Sequence, residues 1–360
     1  MTNQVKVLVV DDSAFMRKLI TDFLNEDPRF NVVGTARNGK DAIQKVKEWQ
    51  PDVVTLDVEM PEMNGLDALQ AIMRENPTRV VMLSTTTKEG AENTLLAMSY
   101  GAIDFIAKPS GAISLDLGKV KEEIIMKVLM ASKVNVQGIS TKKNKIIPFF
   151  EDTRPLQTRS VGKAIKNTVN KLVCIGTSTG GPRALQKVLP KLPKTIDAPI
   201  LVVQHMPAGF TKSLAARLNS ISEINVKEAE DGDILENGTA YIAPGGYHLK
   251  LKNSGGSKIT IYLDQTDPIN GHRPSVDVMY ESVSEIKNYN KIAVIMTGMG
   301  SDGANGLKTL KSSGNTIAIA ESEETSVVFG MPKSAIATNL VDEVVNLDKI
   351  ASTIMKYIDA

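Results

Sequence analysis

The chain is poor in the residues that would staple it, anchor it or give it an electrostatic partner. It has one cysteine, Cys174, in 360 residues. A single thiol excludes an internal disulfide framework and points to a reducing compartment. No apolar run reaches the roughly 18 residues of a membrane helix. The start, Met1 to Lys6, leads into a strand-like run without a signal-peptide core. The expectation is a cytoplasmic protein with no direct membrane insertion. Lys and Arg number 42 against 41 acids, a net charge of +1, so no nucleic-acid partner is implied. Only three histidines occur, His205, His248 and His272, so any imidazole base is one of these. The length suits about two domains.

What is present is organised around Leu172-Val-Cys-Ile-Gly-Thr-Ser178-Thr-Gly-Gly-Pro-Arg183. An apolar run of strand character ends in a turn of small residues. Pro182 and the run Arg183-Ala-Leu-Gln-Lys-Val-Leu then suit a helix. Ser178 would sit at a strand's carboxyl end beside N–H groups that open a helix. An open α/β sheet binds its ligand there, and a developing oxyanion can be held there. A phosphate or nucleotide loop has the same outline, and the turn alone does not separate the two. It does lack the lysine of a P-loop.

Residues 1 to about 131 alternate strand and helix five times. Lys6-Val-Leu-Val-Val10 holds a continuous apolar run of the kind buried on both faces of a sheet, and Val53 to Asp57 and Val80 to Ser84 read as further strands. Phe15, Met16, Leu19, Ile20, Phe23 and Leu24 form a helical stripe. The pattern implies a parallel sheet covered on both sides. Asp11, Asp12, Asp57, Ser84 and Lys108 all fall at or just after strand ends, which share one edge. Three clustered carboxylates repel unless a divalent cation joins them, and Mg²⁺ suits such a site. One carboxylate could take a phosphoryl group, with Lys108 and the Ser84 hydroxyl on its oxygens. The competing reading makes each acid a helix cap.

This segment resembles the receiver domains of two-component response regulators, a flavodoxin-like (βα)5 fold. Asp11-Asp12, Asp57 in Leu-Asp-Val-Glu-Met-Pro, Ser84 and Lys108-Pro109 carry the resemblance. It implies Asp57 as phospho-acceptor. It also implies Mg²⁺ on Asp12, Asp57 and the Glu59 carbonyl, with Asp11 acting through water. Ser84 stands where threonine is commoner, and Phe105 replaces the usual switch tyrosine, so its expected task is packing.

Residues 132–170 are basic and poorly periodic, and read as a linker. Ile146-Ile147 and Phe149-Phe150 are the exception, expected to dock on one of the domains.

From 171 to 360 a second α/β domain, doubly wound and mostly parallel, is expected. Pro199 to Gln204 and Ile292 to Met296 are further core strands. Thr239–Ala243, Tyr247–Lys252 and Lys258–Leu263, joined by Gly-rich turns, suggest an antiparallel excursion. Three strand ends then present Ser178, His205 and Asp302. A serine nucleophile needs a base, and the base needs an acid to orient it. His205 alone follows a long parallel-type strand. His272 is its competitor, near the same crevice, and His248 reads as a surface or packing residue. A helix cap is the competing reading of Asp302. Cys174, inside a strand, reads as buried and inert.

This half resembles the catalytic domain of chemotaxis-type protein-glutamate methylesterases. The matching stretches are Gly176-Thr-Ser178-Thr-Gly-Gly-Pro, Gln204-His205-Met-Pro, His272-Arg-Pro-Ser-Val-Asp277, Met296-Thr-Gly-Met-Gly-Ser-Asp302-Gly-Ala and Ser326-Val-Val-Phe-Gly-Met-Pro332. The resemblance implies hydrolysis of γ-glutamyl methyl esters, and deamidation of glutamines, on chemoreceptor cytoplasmic domains. Ser178, His205 and Asp302 would form the triad. Backbone N–H groups near Thr179 and Met299 would hold the oxyanion, with His272 beside the substrate. A chemotaxis histidine kinase would phosphorylate Asp57 and relieve a receiver packed over the crevice. No metal is expected in this domain. A phosphorylation-gated adaptor with an inactive hydrolase-like domain is the alternative.

Overall fold

The computed structural model describes residues 4–108, 117–134, 170–255 and 258–360. The first unit holds β1 (Val5–Val10), α1 (Ala14–Asn25), β2 (Phe30–Ala36), α2 (Gly39–Trp49) and β3 (Val53–Asp57). It continues with α3 (Gly65–Glu75), β4 (Arg79–Ser84), α4 (Lys88–Tyr100), β5 (Asp104–Ala107) and α5 (Leu117–Lys133). The sheet order is β2-β1-β3-β4-β5, and each pairing is parallel. The order reverses at β1, so the acids after β1 and at the end of β3 lie side by side at a switch point. Short polar residues start the helices. Ser13, Asn38, Asn64 and Thr87 each accept a first-turn N–H as N-cap. Helix α5 runs two residues beyond the expected end at 131. The proposed docking of Ile146-Ile147 and Phe149-Phe150 lies outside the described residues.

The second unit contains β6 (Asn170–Thr177), α6 (Gly181–Val188), β7 (Ile200–Gln204), α7 (Phe210–Ile221), β8 (Asn225–Glu228) and β9 (Thr239–Ile242). A hairpin of β10 (His248–Asn253) and β11 (Ile259–Asp264) follows. Then come α8 (Val276–Ser284), β12 (Tyr289–Ile295), α9 (Ala304–Ser312), β13 (Thr316–Glu321), α10 (Met331–Ile336), β14 (Glu343–Val345) and α11 (Leu347–Ile358). Seven strands form one sheet in the order β14-β13-β12-β6-β7-β9-β8, paired in parallel throughout. The chain winds outward from β6 in both directions, which puts the Ser178 turn at the second switch point.

One expectation is corrected. Thr239–Ile242 belongs to this parallel sheet, paired with β7 and β8, and among the described residues the antiparallel section is the β10–β11 hairpin with two isolated bridges, Ile234 to Thr260 and Ile269 to His272. An apolar run carries no direction of its own; its neighbours in the sheet decide. Alternation along β6 serves both faces. Val173 and Ile175 pack with Leu185, Leu214 and Ile350, from α6, α7 and α11. Leu172 and Cys174 pack with Met279, Tyr280 and Leu307, from α8 and α9. Cys174 is fully buried, and burial pushes its thiol far up. Among the described residues no helix is long and apolar enough to cross a membrane.

The two units pack through α4 against α6 and α7. Phe105 of β5 stacks on Phe210 of α7, with centroids 4.6 Å apart. Phe105 therefore packs, as expected, but it packs across the boundary between the units.

Candidate active site

Three adjacent strands, β12, β6 and β7, deliver the three side chains. Ser178 follows β6, His205 follows β7, and Asp302 lies in the loop after β12. Thr177 is opposite Gln204 in the ladder. Ser178 and His205 are thus the next residues on strands about 4.8 Å apart.

His205 Nε2 lies 2.7 Å from Asp302 Oδ2, and the imidazole is 6% exposed. A carboxylate only accepts, so Nε2 carries the proton. Nδ1 is buried and has no hydrogen-bond partner, which leaves it as the ring's acceptor.

The Asp302 carboxylate is saturated. Oδ2 also accepts the Val276 N–H at 2.6 Å, while Oδ1 accepts the Ser275 hydroxyl at 2.8 Å and the Asp277 N–H at 3.0 Å. Burial alone would raise its pKa. The His205 bond and the N–H groups at the start of α8 outweigh burial and hold the carboxyl well below its ordinary value. Asp277 returns the arrangement, accepting the N–H groups of Gly303 at 2.8 Å and Gly306 at 2.7 Å. Each acid therefore caps the other's helix.

His272 stacks on His205 with centroids 3.8 Å apart and planes 11° from parallel. Burial and the neighbouring His205 lower its pKa to about 4, so the ring is neutral near pH 7. Between the two candidates for the base, the bond to the acid belongs to His205. His248 is fully buried, with Nε2 on the Asp267 carbonyl at 3.2 Å, and so packs rather than reacts.

The loop after β12 presses on the Ser178 turn. A Cβ on Gly298 would stand 2.8 Å from Ser178 Cβ, so only glycine allows this approach. The Ser178 N–H donates to the Thr297 carbonyl at 3.0 Å. Among the described residues, the N–H groups of Thr179 and Met299 donate to no other group. A cavity of about 1170 Å³ opens beside this turn, lined by Gly180, Arg183, Thr297, Met299 and Val327, with Met130 of α5. The Thr179 hydroxyl is already engaged: it donates to Asp104 Oδ2, on β5 of the first unit, at 2.7 Å.

The acids and the lysine expected at the strand ends of the first unit are also brought together. Asp11, Asp12 and Asp57 offer oxygens within 4.8 Å of one another. Lys108 Nζ lies 2.8 Å from Asp11 Oδ2 and 2.7 Å from Asp57 Oδ2. Burial raises the Asp57 carboxyl to about 6 despite Lys108. The Glu59 N–H donates to Asp57 Oδ1 at 3.4 Å. Ser84 is fully buried, and its hydroxyl donates to the Gly90 carbonyl at 3.0 Å and the Thr85 carbonyl at 3.1 Å.

Residues 173–354 match the family described as CheB methylesterase, and residues 7–116 match the response regulator receiver domain. The chain belongs to the CheB methylesterase family. It is 58% identical over 354 residues to a protein-glutamate methylesterase/protein-glutamine glutaminase of Geobacillus kaustophilus, covering 98% of this chain and 99% of that one. A protein of the same description from Bacillus subtilis is 50% identical, with 97% of each chain covered. The crystal structure of the Thermotoga maritima CheB methylesterase catalytic domain is 50% identical and superposes with a TM-score of 0.51, covering 53% of this chain and all of that one. What sequence reasoning missed for this family member is the seat of the acid. Ser275, Val276 and Asp277 lie at least 25 residues from Asp302, and only the fold joins them.

Proposed function

We propose that the chain is a phosphorylation-gated hydrolase that removes methyl groups from γ-glutamyl methyl esters on chemoreceptor cytoplasmic domains, and deamidates glutamines at such sites. The relatives' descriptions give the activity. The observation that carries it here is the His205–Asp302 bond with Nδ1 unpartnered, one residue past the strand pair that also leads to Ser178.

In this reading Ser178 Oγ attacks the ester carbonyl while His205 Nδ1 takes its proton. Asp302 holds Nε2–H and stabilises the imidazolium that forms. The N–H groups of Thr179 and Met299 receive the oxyanion. His205 then protonates the departing methoxide, and methanol leaves an acyl-serine. Water, deprotonated by His205, releases the glutamate and restores Ser178. With a glutamine substrate the leaving group is ammonia.

Residues 1–131 would act as the receiver, 132–170 as linker and 171–360 as the catalytic domain. A chemotaxis histidine kinase is the phosphodonor partner, and Asp57 the acceptor. The oxygen-only donor set of Asp11, Asp12 and Asp57, with two of the three acids buried, fits a hard cation. Mg²⁺ would be held by Asp12, Asp57 and the Glu59 carbonyl, with Asp11 through water; when bound it neutralises charge during phosphoryl transfer. Lys108 pairs with the acids and directly follows β5, whose Asp104 and Phe105 touch the catalytic unit. Ser84 and Phe105 are the switch residues on that path.

The test is methanol release from methylated receptor, with and without a small phosphodonor. Release should rise with the donor and vanish in Ser178→Ala. Release that survives this substitution overturns the mechanism. A fragment starting at residue 169 that is no more active than the unphosphorylated whole overturns the gate.

A further inference from the structure

The ends of β6 and β7 are joined by one side chain that the triad does not include. Gln204, the last residue of β7, is 2% exposed. Its Nε2 donates to the Ser178 carbonyl at 3.0 Å and to the His205 carbonyl at 3.1 Å. Its Oε1 accepts the Thr177 hydroxyl at 2.6 Å. Two carbonyls can only accept, so they fix which end of the amide is nitrogen. The last backbone bond of the ladder runs from the His205 N–H to the Thr177 carbonyl, and Ser178 leaves the ladder, its N–H donating to the Thr297 carbonyl. The side-chain amide supplies a cross-strand bond to Ser178, which the backbone ladder does not reach. It does so between the two residues whose spacing sets proton transfer.

The turn is built around this amide. A Cβ on Gly181 would stand 1.9 Å from Gln204 Oε1. The second glycine after Ser178 is therefore required by Gln204, and the Gly181 N–H closes the turn on the Ser178 carbonyl at 2.7 Å. That carbonyl thus receives two donors, which pin the nucleophile's backbone from two directions.

We infer that Gln204 is a positioning residue for the hydrolase reaction, a clamp that fixes the nucleophile's strand end relative to the base's. The inference rests on the triad reading above. The chemistry needs an amide. A carboxylate would face two carbonyl oxygens with no proton to offer, and a protonated carboxyl could donate to only one of them. A methionine fills similar space and donates to neither.

The experiment uses the full chain with Mg²⁺ and a small phosphodonor, assayed for methanol release from methylated receptor. Gln204→Met should lower kcat about 100-fold, the cost of roughly 1 Å of misplacement, with KM within about twofold. In Gln204→Glu the rate relative to wild type should rise as the pH is lowered from 8 to 5, because protonation returns one donor. A kcat for Gln204→Met within threefold of wild type overturns the clamp, as does a Gln204→Glu ratio flat across pH. Proton NMR of the His205–Asp302 imidazole signal gives a readout without turnover. The signal should shift or broaden in Gln204→Glu, and an unmoved signal again overturns the clamp. Wild type without Ser178-dependent release would sink the triad reading instead, and the NMR arm would still decide the clamp.

Discussion

Replacing Asp302 by Asn separates the acid's two tasks. The carboxylate accepts four hydrogen bonds, two on each oxygen. An amide keeps one oxygen, and its NH₂ must face two donors whichever way it turns. Each buried group left facing a donor costs about 1–3 kcal/mol, so the variant should lose about 2–6 kcal/mol. Domains commonly have about 5–15 kcal/mol in hand, so it should still fold, with a lower midpoint in urea. Activity should fall much further. If the NH₂ faces His205, the ring must turn its lone pair to it and the proton moves to Nδ1, the nitrogen needed as base. The corresponding change in a serine protease costs about 10⁴-fold in kcat, and a loss of that order is expected in methanol release. The acid limb of stability should change as well. A carboxyl that ionises below its unfolded value contributes stability above about pH 4, and that stability is lost as pH falls. The wild type should therefore weaken below pH 4 more steeply than Asp302→Asn. A variant with activity within tenfold of wild type, or with an unchanged acid limb, would refute the reasoning.

His272 titrates in a different window. Its folded value of about 4 lies below the unfolded one, so its contribution is complete above roughly pH 6.5 and declines as pH drops. His272→Phe keeps a stacking ring without a proton to gain; its thermal midpoint should fall less than wild type's between pH 7 and 5, and equal slopes would count against the burial argument. Asp104→Ala removes the acceptor of the Thr179 hydroxyl. Losing a charged hydrogen bond worth about 1.5 kcal/mol should raise the activity of unphosphorylated enzyme about tenfold, whereas an unchanged basal rate would show that the contact does not restrain the site. Chelating divalent metal should abolish phosphodonor labelling at Asp57 while leaving basal methanol release intact, and labelling that persists in chelator would exclude the acidic cluster as a metal site.

Much of this architecture was legible because buried parallel strands are apolar runs closed by turn residues. Ser178, His205 and Asp302 were read from such closures, and so were Asp11, Asp57 and Lys108. What escaped is what strands decide only in company. Asn225–Glu228 has one buried side chain and no apolar run, yet it forms the sheet's edge beside β9. Glu343–Val345 is three residues long and, among the described residues, pairs with β13 alone. Thr239–Ile242 looked like part of a hairpin section until its partners were known. The contact of Thr179 with Asp104 joins residues 75 apart in two separate folding units, and no local pattern marks it. Sequence alone favours His205 over His272 as the base, since only His205 follows a long parallel-type strand, but the stacking of the two rings is not visible from it.

The loop that carries Asp302 holds glycine at 298, 300 and 303, a composition that ought to make a poor mount for a part needing accuracy. The mutual capping of Asp277 and Asp302 resolves this, because it bolts the far end of the loop to two helices at once. Nearer the middle, the Gly298 carbonyl accepts the N–H groups of Gly330 and Met331, and the Gly300 carbonyl accepts the Ser334 hydroxyl, so both neighbours of Met299 are tied to α10. A segment with three glycines is therefore held along its length by three helices, and its aim comes from what it is tied to rather than from its own side chains.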